Sequence, residues 1–395
     1  MNKIIYLDNS ATTPTRKEVL KETQKYFLKQ FGNPSSFHSV GLESKKAINK
    51  ARKKISKILN CEEEEIIFTG SGTESINLAI KGIAFREILK GKRGHFITQK
   101  TEHDAVIQTM KWLEKMGFRT TYINVDKKGI IKLNELKTAI KKDTLLVSIM
   151  YANNETGVIQ PIQKISKICK EKKVLFHTDA CQGAEYLLLN TKKLGIDMMT
   201  INGSKIYGFK GTGALYKKKE IKIEPLIHGG NHEFGLRSGT ENVPGIIALA
   251  KALELAEKEK KIENKRLTKL KNYMINKIKK EISFSKLNGS TKRLPNNINF
   301  SFFGIEGEST LLLLNEKGIM VSTGSACSSQ SLEPSHVLTA MGIKHEIAHG
   351  SIRFSLGKFT TKKDIDYTIK ELKKIVKNLR KISPIWNKKT GLIKK

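Results

Sequence analysis

Short apolar runs alternate with amphipathic stretches between residues 40 and 255. The stretch 44–59 places six apolar residues on one helical face: Ala47, Ile48, Ala51, Ile55, Ile58 and Leu59. Six runs have the length and composition of strands: EIIFTG, GHFIT, RTTYINV, TLLVSIM, KVLFHTD and DMMTING. Further helices are predicted over ESINLAIKGIAFREILK, HDAVIQTMKWLEKMG, LNELKTAIKK and PIQKISKICKEKK. This alternation predicts an α/β fold, with a mostly parallel sheet covered on both faces and functional sites at the carboxyl ends of its strands.

The pattern changes after a long helical stretch rich in lysine and glutamate, at about 244–282. Beyond it we predict a strand over NNINFSF, a helix over GESTLLLLNEKG, a strand over GSIRFSL and a last helix that begins with a capping box, Thr361 with Asp364. This region predicts a smaller α+β domain. We assign residues 16–257 to the large domain, and residues 1–15 and 258–395 to the small one, which carries a loop at 322–333.

The formal net charge of the chain is +34. Clustered cations would indicate a nucleic acid or another acidic partner. The lysines are instead spread over most predicted helices, so we predict that they lie on solvated faces and that the protein does not bind nucleic acid directly. Apolar runs are too short to span a bilayer, and the start of the chain has no apolar leader. The four cysteines show no CxxC spacing, which predicts neither disulfides nor a zinc site. We therefore expect a cytoplasmic protein.

A carboxylate and a lysine follow two of the predicted strands. Asp179 ends KVLFHTD, with Gln182 just beyond it, and Lys205 follows DMMTING. The two could form a simple ion pair. They are also the pair that pyridoxal phosphate needs, a lysine for the Schiff base and an acid for the pyridinium nitrogen.

Other strand ends carry groups that suit a flat, phosphorylated cofactor. FTGSGTESINLAI offers backbone amides at a helix start and the hydroxyl of Thr73 to a phosphate, although an ordinary capped helix would show the same pattern. Its Ser75 replaces the third glycine of a dinucleotide fingerprint. His103 follows the strand at 95–98, and YANNETG places Asn154 after another strand. Five such strand ends together predict a catalytic centre at one edge of the sheet.

Cys327 lies in a run of small residues, STGSACSSQSLEPS. Its neighbours are too small to shield the sulfur from solvent, so we expect an exposed, reactive thiol rather than an inert loop cysteine.

Taken in order, the motifs YLDNSATTP, GNPSSFHSVG, FTGSGTES, YANNETGVIQPI, HTDACQ, GFKGTGALY, GLRSGTENVPG, GSACSSQSLEPSHVL and SIRFSLGKFT resemble those of the cysteine desulfurases. These are pyridoxal-phosphate-dependent enzymes of the aminotransferase-like fold, fold type I. The resemblance covers nearly the whole chain. It implies a seven-stranded large domain, a small domain and a homodimer with sites near the interface.

The resemblance also implies a role for each matching residue. Lys205 would form the Schiff base, Asp179 would pair with the ring nitrogen, and Gln182 would meet the phenolic oxygen. His103 would stack on the ring and Asn154 would lie near cofactor and substrate. The phosphate would be held by Gly72, Thr73, Asn202, Gly203 and Ser204, and by Thr240 from the partner subunit. Arg353 would bind the substrate carboxylate through its two-pronged donor set.

These roles imply that L-cysteine is converted to L-alanine while its sulfur passes to Cys327 as a persulfide. A sulfur-acceptor protein, an iron–sulfur scaffold or a tRNA-thiolation enzyme, would then take it. No resident metal is predicted, although Cys327 could serve as a transient iron–sulfur ligand. The length of the loop at 322–333 resembles the group with a mobile cysteine.

The chain departs from the family pattern at three places. Asn202-Gly203-Ser204-Lys205 replaces Ser-x-His-Lys, so an amide would meet the phosphate, with Ser204 as a partial substitute for the hydroxyl. Asn231–Phe234 replaces Gly-Gln-Glu-Arg and removes a positive charge near the interface. Cys181 is interpreted as a small core residue.

Three rival functions stay open. A selenocysteine lyase would not require Cys327. A basic sulfur-relay or nucleic-acid-binding scaffold, impaired by the changes at Asn202 and Ser204, would lack the cofactor. A dinucleotide oxidoreductase is disfavoured by the incomplete glycine fingerprint.

Overall fold

The computed structural model describes residues 4–323, 334–384 and 386–387. Its strands, β1 to β12 in chain order, are Ile5–Tyr6, Ile66–Thr69, His95–Gln99, Arg119–Ile123, Thr144–Ser148, Leu175–Asp179, Met198–Asn202, Gly213–Lys217, Ser285–Leu287, Asn297–Phe302, Ile319–Met320 and Ser351–Ser355. Its helices, α1 to α13, are Lys17–Thr23, Lys25–Leu28, Ser39–Leu59, Gly72–Leu89, Asp104–Lys115, Leu133–Ala139, Ile162–Glu171, Thr191–Leu194, Val243–Glu281, Gly307–Glu316, His336–Ala340, His345–His349 and Lys362–Ile382.

Within the described residues, seven strands form the main sheet, in the order β2-β8-β7-β6-β5-β3-β4. All the strands run parallel except β8, which pairs antiparallel with both β2 and β7. The six strands predicted from apolar runs are all present. The predicted α/β class is therefore confirmed, and β8 completes the seven strands that the family resemblance implied.

Helices cover the main sheet on both faces because each one turns an apolar stripe towards it. The helix predicted at 44–59 begins earlier, at Ser39, where the His38 side chain accepts the Gly41 N–H and caps it. Its buried stripe packs with β2, β5 and β6 in one apolar cluster. A second cluster, on the other face, joins α4 and α5 to the sheet.

A three-stranded antiparallel sheet, β12-β10-β9, and a short parallel pair, β1-β11, lie outside the main sheet. Their side chains share an apolar cluster with the second half of α9, with α10 and with α13. The predicted capping box at the start of α13 is present, since Thr361 and Asp364 bond reciprocally. The predicted long helical stretch is the single helix α9.

The carboxyl ends of β5, β6 and β7 meet at one edge of the main sheet because these strands run parallel and adjacent. Strand β12 approaches the same edge from the smaller sheet, since Arg353 at its centre contacts the turn that follows β5. A site forms between the two sheets. In the part of the chain that the structure describes, no helix is both long and apolar enough to cross a membrane.

Candidate active site

A cavity of about 300 Å³ lies at this edge and gathers most of the predicted site residues. Nine of them line it: Gly72, Thr73, His103, Asn154, Asp179, Gln182, Asn202, Lys205 and Arg353. They come from the ends of four strands, β3, β5, β6 and β7, from the start of α4 after β2, and from β12. The volume is at the lower end of the range for sites that bind small molecules.

Lys205 and Asp179 reach the cavity from the ends of neighbouring strands. Lys205 lies in a single 3₁₀ turn after β7, and its Nζ donates to the backbone oxygens of Ser10 at 3.0 Å and of Ala11 at 2.5 Å. Asp179 ends β6, and its Oδ1 accepts the backbone N–H of Cys181 at 2.8 Å. The N-terminal segment that follows β1 therefore forms the wall of the cavity beside the lysine, and Gln182 donates to the same Ser10 oxygen at 2.9 Å.

His103 caps the start of α5 and faces the cavity. Its Nδ1 accepts the backbone N–H of Ala105 at 3.0 Å. Burial lowers the pKa of the imidazole; the charge of Asp179 acts against this shift and that of Lys205 adds to it. The ring is therefore neutral near pH 7, and because Nδ1 accepts the Ala105 N–H, its proton lies on Nε2.

The start of α4 provides an anion site at the other end of the cavity. Ser71 caps this helix by accepting the Glu74 N–H, and Gly72 and Thr73 are its first residues. A Cβ atom at Gly72 would lie 2.8 Å from the Cys181 sulfur and 3.3 Å from Asn202 Cβ, so only glycine fits between the helix and the strand ends. Free backbone amides and the helix dipole at this position suit a phosphate.

The three residues before Lys205 do not take equal parts in the site. Asn202 lines the cavity, and its Oδ1 accepts both the backbone N–H and the hydroxyl of Ser204 at 3.1 Å. With that oxygen engaged, the amide nitrogen is the group that Asn202 offers beside Gly72. Gly203 is buried behind the turn, and Ser204 does not line the cavity.

Arg353 is buried, with 3% of its side chain exposed. Its Nη2 donates to Asp8 Oδ1 at 2.7 Å and its Nη1 to the Asn154 carbonyl at 3.3 Å. Its Nε is buried and has no hydrogen-bond partner among the described residues. Nη1 and Nη2 each carry a second N–H, and a guanidinium that lines a cavity with such donors fits the binding of a carboxylate, as predicted for this residue.

Thr240 lies apart from these residues. It lines two neighbouring cavities, one with Arg237 and Gly70 and the other with Arg52. The role of Thr240 in the partner subunit's site stays a prediction.

The departure at Asn231–Phe234 is packed around a buried ion pair. Arg52 Nη2 contacts Glu233 Oε1 at 2.6 Å, and the Arg52 guanidinium lies 4.6 Å from the Phe68 ring and 4.9 Å from the Phe234 ring. Phe234 therefore stacks on a cation where the family pattern has an arginine of its own.

Sequence reasoning missed two groups in the site. Glu102 lines the cavity; burial raises its pKa well above the ordinary value, partly offset by the Met150 N–H that it accepts. Asp8 holds Arg353 from the segment that follows β1. Glu102 directly precedes the predicted helix HDAVIQTMKWLEKMG and Asp8 lies within YLDNSATTP, but nothing in their spacing showed which cavity they would face. Cys181, interpreted as a core residue, is buried and also lines the cavity. Cys327 lies outside the described residues.

The lining residues provide the donor set that pyridoxal phosphate requires. A lysine and a carboxylate stand at adjacent strand ends, a neutral imidazole offers a flat face, and a helix start with a glycine cradle receives the phosphate. The residues therefore fit the cofactor. No group of three or more His, Cys, Asp or Glu side chains placed to hold a metal occurs in the described part of the chain.

Comparison with known proteins gives a consistent result. The family model of the class-V aminotransferases matches residues 5–368. Cysteine desulfurase IscS of Dictyoglomus turgidum is 54% identical over 385 residues, 97% of this chain and 97% of that protein. A solved NifS-like protein superposes with a TM-score of 0.89 at 39% identity, covering 95% of this chain and 100% of that one. The structure of SspA in complex with cysteine superposes with a TM-score of 0.80 at 35% identity, over 90% of this chain and 100% of that one.

Proposed function

The chain belongs to the class-V aminotransferase family and, within it, to the cysteine desulfurases, and on this premise we propose that it moves sulfur from L-cysteine to Cys327. It is a pyridoxal-phosphate-dependent enzyme. The observation that carries the proposal is the convergence of Lys205, Asp179 and Arg353 on one cavity. These three provide the lysine, the ring-nitrogen partner and the carboxylate site that such a reaction needs.

We assign the cofactor contacts as the sequence predicted them, except that Gly203 and Ser204, which do not line the cavity, are placed behind Asn202. Lys205 would attach the cofactor, Asp179 would pair with its ring nitrogen and His103 would stack on the face of its ring. Gln182 would meet its phenolic oxygen. Its phosphate would be held by Gly72, Thr73, Asn202 and the partner's Thr240. When bound, pyridoxal phosphate withdraws electrons from the substrate α-carbon and so makes the carbon–sulfur bond easier to break.

The chain's own residues do the rest of the work. Arg353 binds the substrate carboxylate and so fixes which way the sulfur points, with Asn154 beside it. Lys205, held between two backbone oxygens, moves protons at the substrate carbon. His103, whose neutral ring carries its proton on Nε2, donates that proton nearby. The thiolate of Cys327 attacks the substrate sulfur.

This transfer balances without any further oxidant or reductant. The sulfur–sulfur bond forms as the substrate carbon–sulfur bond breaks, and the carbon keeps the electron pair and takes up a proton. One thiol and one molecule of cysteine give one persulfide and one molecule of alanine. The persulfide then passes to an acceptor protein, which we propose belongs to iron–sulfur cluster assembly or to tRNA thiolation. Because this chemistry needs free thiols, the cytoplasm stays our predicted location.

The test is to compare the purified enzyme with its Cys327→Ser variant. Both are loaded with pyridoxal phosphate and given L-cysteine, alanine release is measured, and Cys327 is examined for a persulfide by mass spectrometry. We expect the variant to keep the yellow cofactor and its spectral response to cysteine but to lose alanine release. Full activity in Cys327→Ser would overturn the proposal and favour a lyase that needs no thiol.

A further inference from the structure

Glu155 is a buried carboxylate beside the site to which the proposed reaction gives no role. It lies in the turn that follows β5, lines the cavity, and has 4% of its side chain exposed. Its Oε2 accepts the hydroxyl of Ser335 at 2.5 Å.

Ser335 is an anchor point for the chain after Cys327. Its Oγ also accepts the Leu338 N–H and so caps α11, which packs with α12 against Val125. The next residue, His336, contacts the Glu102 carbonyl at 2.9 Å through Nε2. The Glu155–Ser335 bond therefore joins the segment that follows Cys327 to the main sheet.

The segment that precedes Cys327 is fixed on the substrate side of the same cavity. Ser322 and Arg353 exchange two backbone hydrogen bonds, at 2.7 and 3.2 Å. Cys327 thus lies in sequence between one anchor on the carboxylate-binding arginine and another on Glu155.

Glu155 itself is held rigidly. Its backbone N–H donates to Asn153 Oδ1 at 3.0 Å, and its carbonyl accepts the Asn299 amide at 3.2 Å. The carbonyl of its neighbour Asn154 accepts both the Asn297 amide and Arg353 Nη1. Because Asn297 and Asn299 are fully buried, they hold this turn in place, and the turn holds Ser335 and Arg353 in fixed positions.

We propose that Glu155 is a positioning residue for sulfur transfer, which fixes the segment after Cys327 to the substrate-binding turn through Ser335. The inference rests on the proposed function, since it assumes that Cys327 receives the sulfur. Glu155 contributes to the transfer step and leaves cysteine binding to Arg353.

The charge on Glu155 provides a signature that packing alone would lack. The pKa of Glu155 is raised to about 7, chiefly by burial and to a smaller extent by the charge of Asp104. The hydrogen bond from Ser335 and the charges of His336 and Arg353 act in the opposite direction and lower this pKa. Below this pH the side chain is neutral. Above it the carboxylate accepts the Ser335 hydroxyl in a charge-assisted bond, which is stronger.

The experiment compares the holoenzyme with Glu155→Ala, Glu155→Gln and Ser335→Ala. Glu185→Gln is the matched control, because Glu185 is also buried with a raised pKa but does not line the cavity. The cysteine concentration that half-saturates the change in the visible spectrum measures binding. The single-turnover rate of persulfide formation on Cys327 measures transfer.

We expect Glu155→Ala and Ser335→Ala to keep the half-saturating cysteine concentration within about twofold of the wild-type value. Both should slow sulfur transfer about tenfold, which is the equivalent of losing one hydrogen bond to a charged group. Glu155→Gln keeps an acceptor oxygen. Its transfer rate should equal that of the wild type near pH 6 and fall about threefold below it near pH 8. The comparison uses the ratio of the variant rate to the wild-type rate at each pH, because the titration of the Cys327 thiol affects both rates equally and cancels. Glu185→Gln should change neither measurement.

Two results would overturn the inference. One is transfer at the wild-type rate in both Glu155→Ala and Ser335→Ala; the other is an equal loss of binding and transfer. Ser335→Ala decides the matter if Glu155→Ala does not fold. A wild-type enzyme that leaves no sulfur on Cys327 would instead refute the proposed function, so the two failures are distinguishable.

Discussion

Asn202 is the residue at which the chain replaces a family hydroxyl with an amide beside the cofactor phosphate. Its oxygen is engaged by the N–H and the hydroxyl of Ser204, which leaves the amide nitrogen to face Gly72. We therefore propose that Ser204 acts by orienting Asn202 rather than by meeting the phosphate itself. The two departures act as a pair, in which one residue supplies the donor and the other sets its direction.

This arrangement predicts unequal effects on cofactor binding. Asn202→Ala removes a donor to a charged phosphate and should weaken pyridoxal phosphate binding about tenfold to a hundredfold. Ser204→Ala keeps that donor and should weaken it less than threefold. Titration of the cofactor-free protein with pyridoxal phosphate, followed by absorbance, measures both. A larger loss in Ser204→Ala than in Asn202→Ala would contradict the assignment.

The sequence predicted the chemistry of individual residues better than their partners. Asp179, Lys205 and His103 could be assigned because each follows a recognisable strand, and strand direction decides where the side chain emerges. The bond between Asp8 and Arg353 joins residues at opposite ends of the chain. No local pattern encodes such a contact, and the burial that raises the pKa of Glu102 is likewise set by packing.

At the scale of elements, the close approach of α4 to the ends of β6 and β7 shapes the proposed phosphate site. The helix begins at Gly72 against Cys181 and Asn202, with no room for a side chain. Nine of the 18 residues of α4 are buried, and the helix packs against the sheet and α5, so it has little freedom to move away.

Gly72→Ala should therefore destabilise the protein by about 1–3 kcal/mol, as expected for an overpacked core site. It should also weaken cofactor binding, because the helix start must shift. Adding Cys181→Ala removes the nearest atom, the sulfur at 2.8 Å, and should restore most of both losses. Denaturant unfolding and cofactor titration of the two single variants and the double variant measure the coupling. Strictly additive losses would show that the sulfur is not the obstacle.

Strand β8 shows where sequence patterns fail at this scale. The six parallel strands are apolar runs next to helices, which the pattern reveals. The run that forms β8 begins with glycine and ends among lysines, and it joins the sheet antiparallel between β2 and β7. Its place depends on pairing with strands far away in the chain, and only the family resemblance implied a seventh strand. Strands β1 and β9 are too short to show a period.

For the molecule as a whole, we propose the two domains that the sequence indicated, residues 16–257 and residues 1–15 with 258–395. Two apolar clusters belong to the main sheet and its helices, from Val19 to Leu253. A third is formed mainly by Ile5, Leu7 and side chains between residues 267 and 376. The helix α9 crosses the proposed boundary without a break. The cavity lies between the two parts, with Lys205 on one side and Arg353 on the other.

We also propose a homodimer in which each site is completed by the partner's Thr240. In a single chain, this residue lines cavities other than the one that holds Lys205. Thr240→Val keeps the shape of the side chain and removes its hydroxyl. It should weaken cofactor binding, and Lys205→Ala should abolish activity.

Mixing the two variants tests the direction of the contact. If Thr240 acts across the interface, a mixed dimer holds one doubly defective site and one site with both Lys205 and Thr240 intact. At a cofactor concentration too low to saturate Thr240→Val, refolding equal amounts together should therefore raise alanine release above the sum of the separate variants. If Thr240 serves its own chain, every site in the mixture carries one defect and no gain appears. As a control for subunit exchange, the two variants are refolded separately and combined only afterwards. The shared site would be rejected if refolded mixtures, with mixed dimers verified by mass, showed no gain in alanine release.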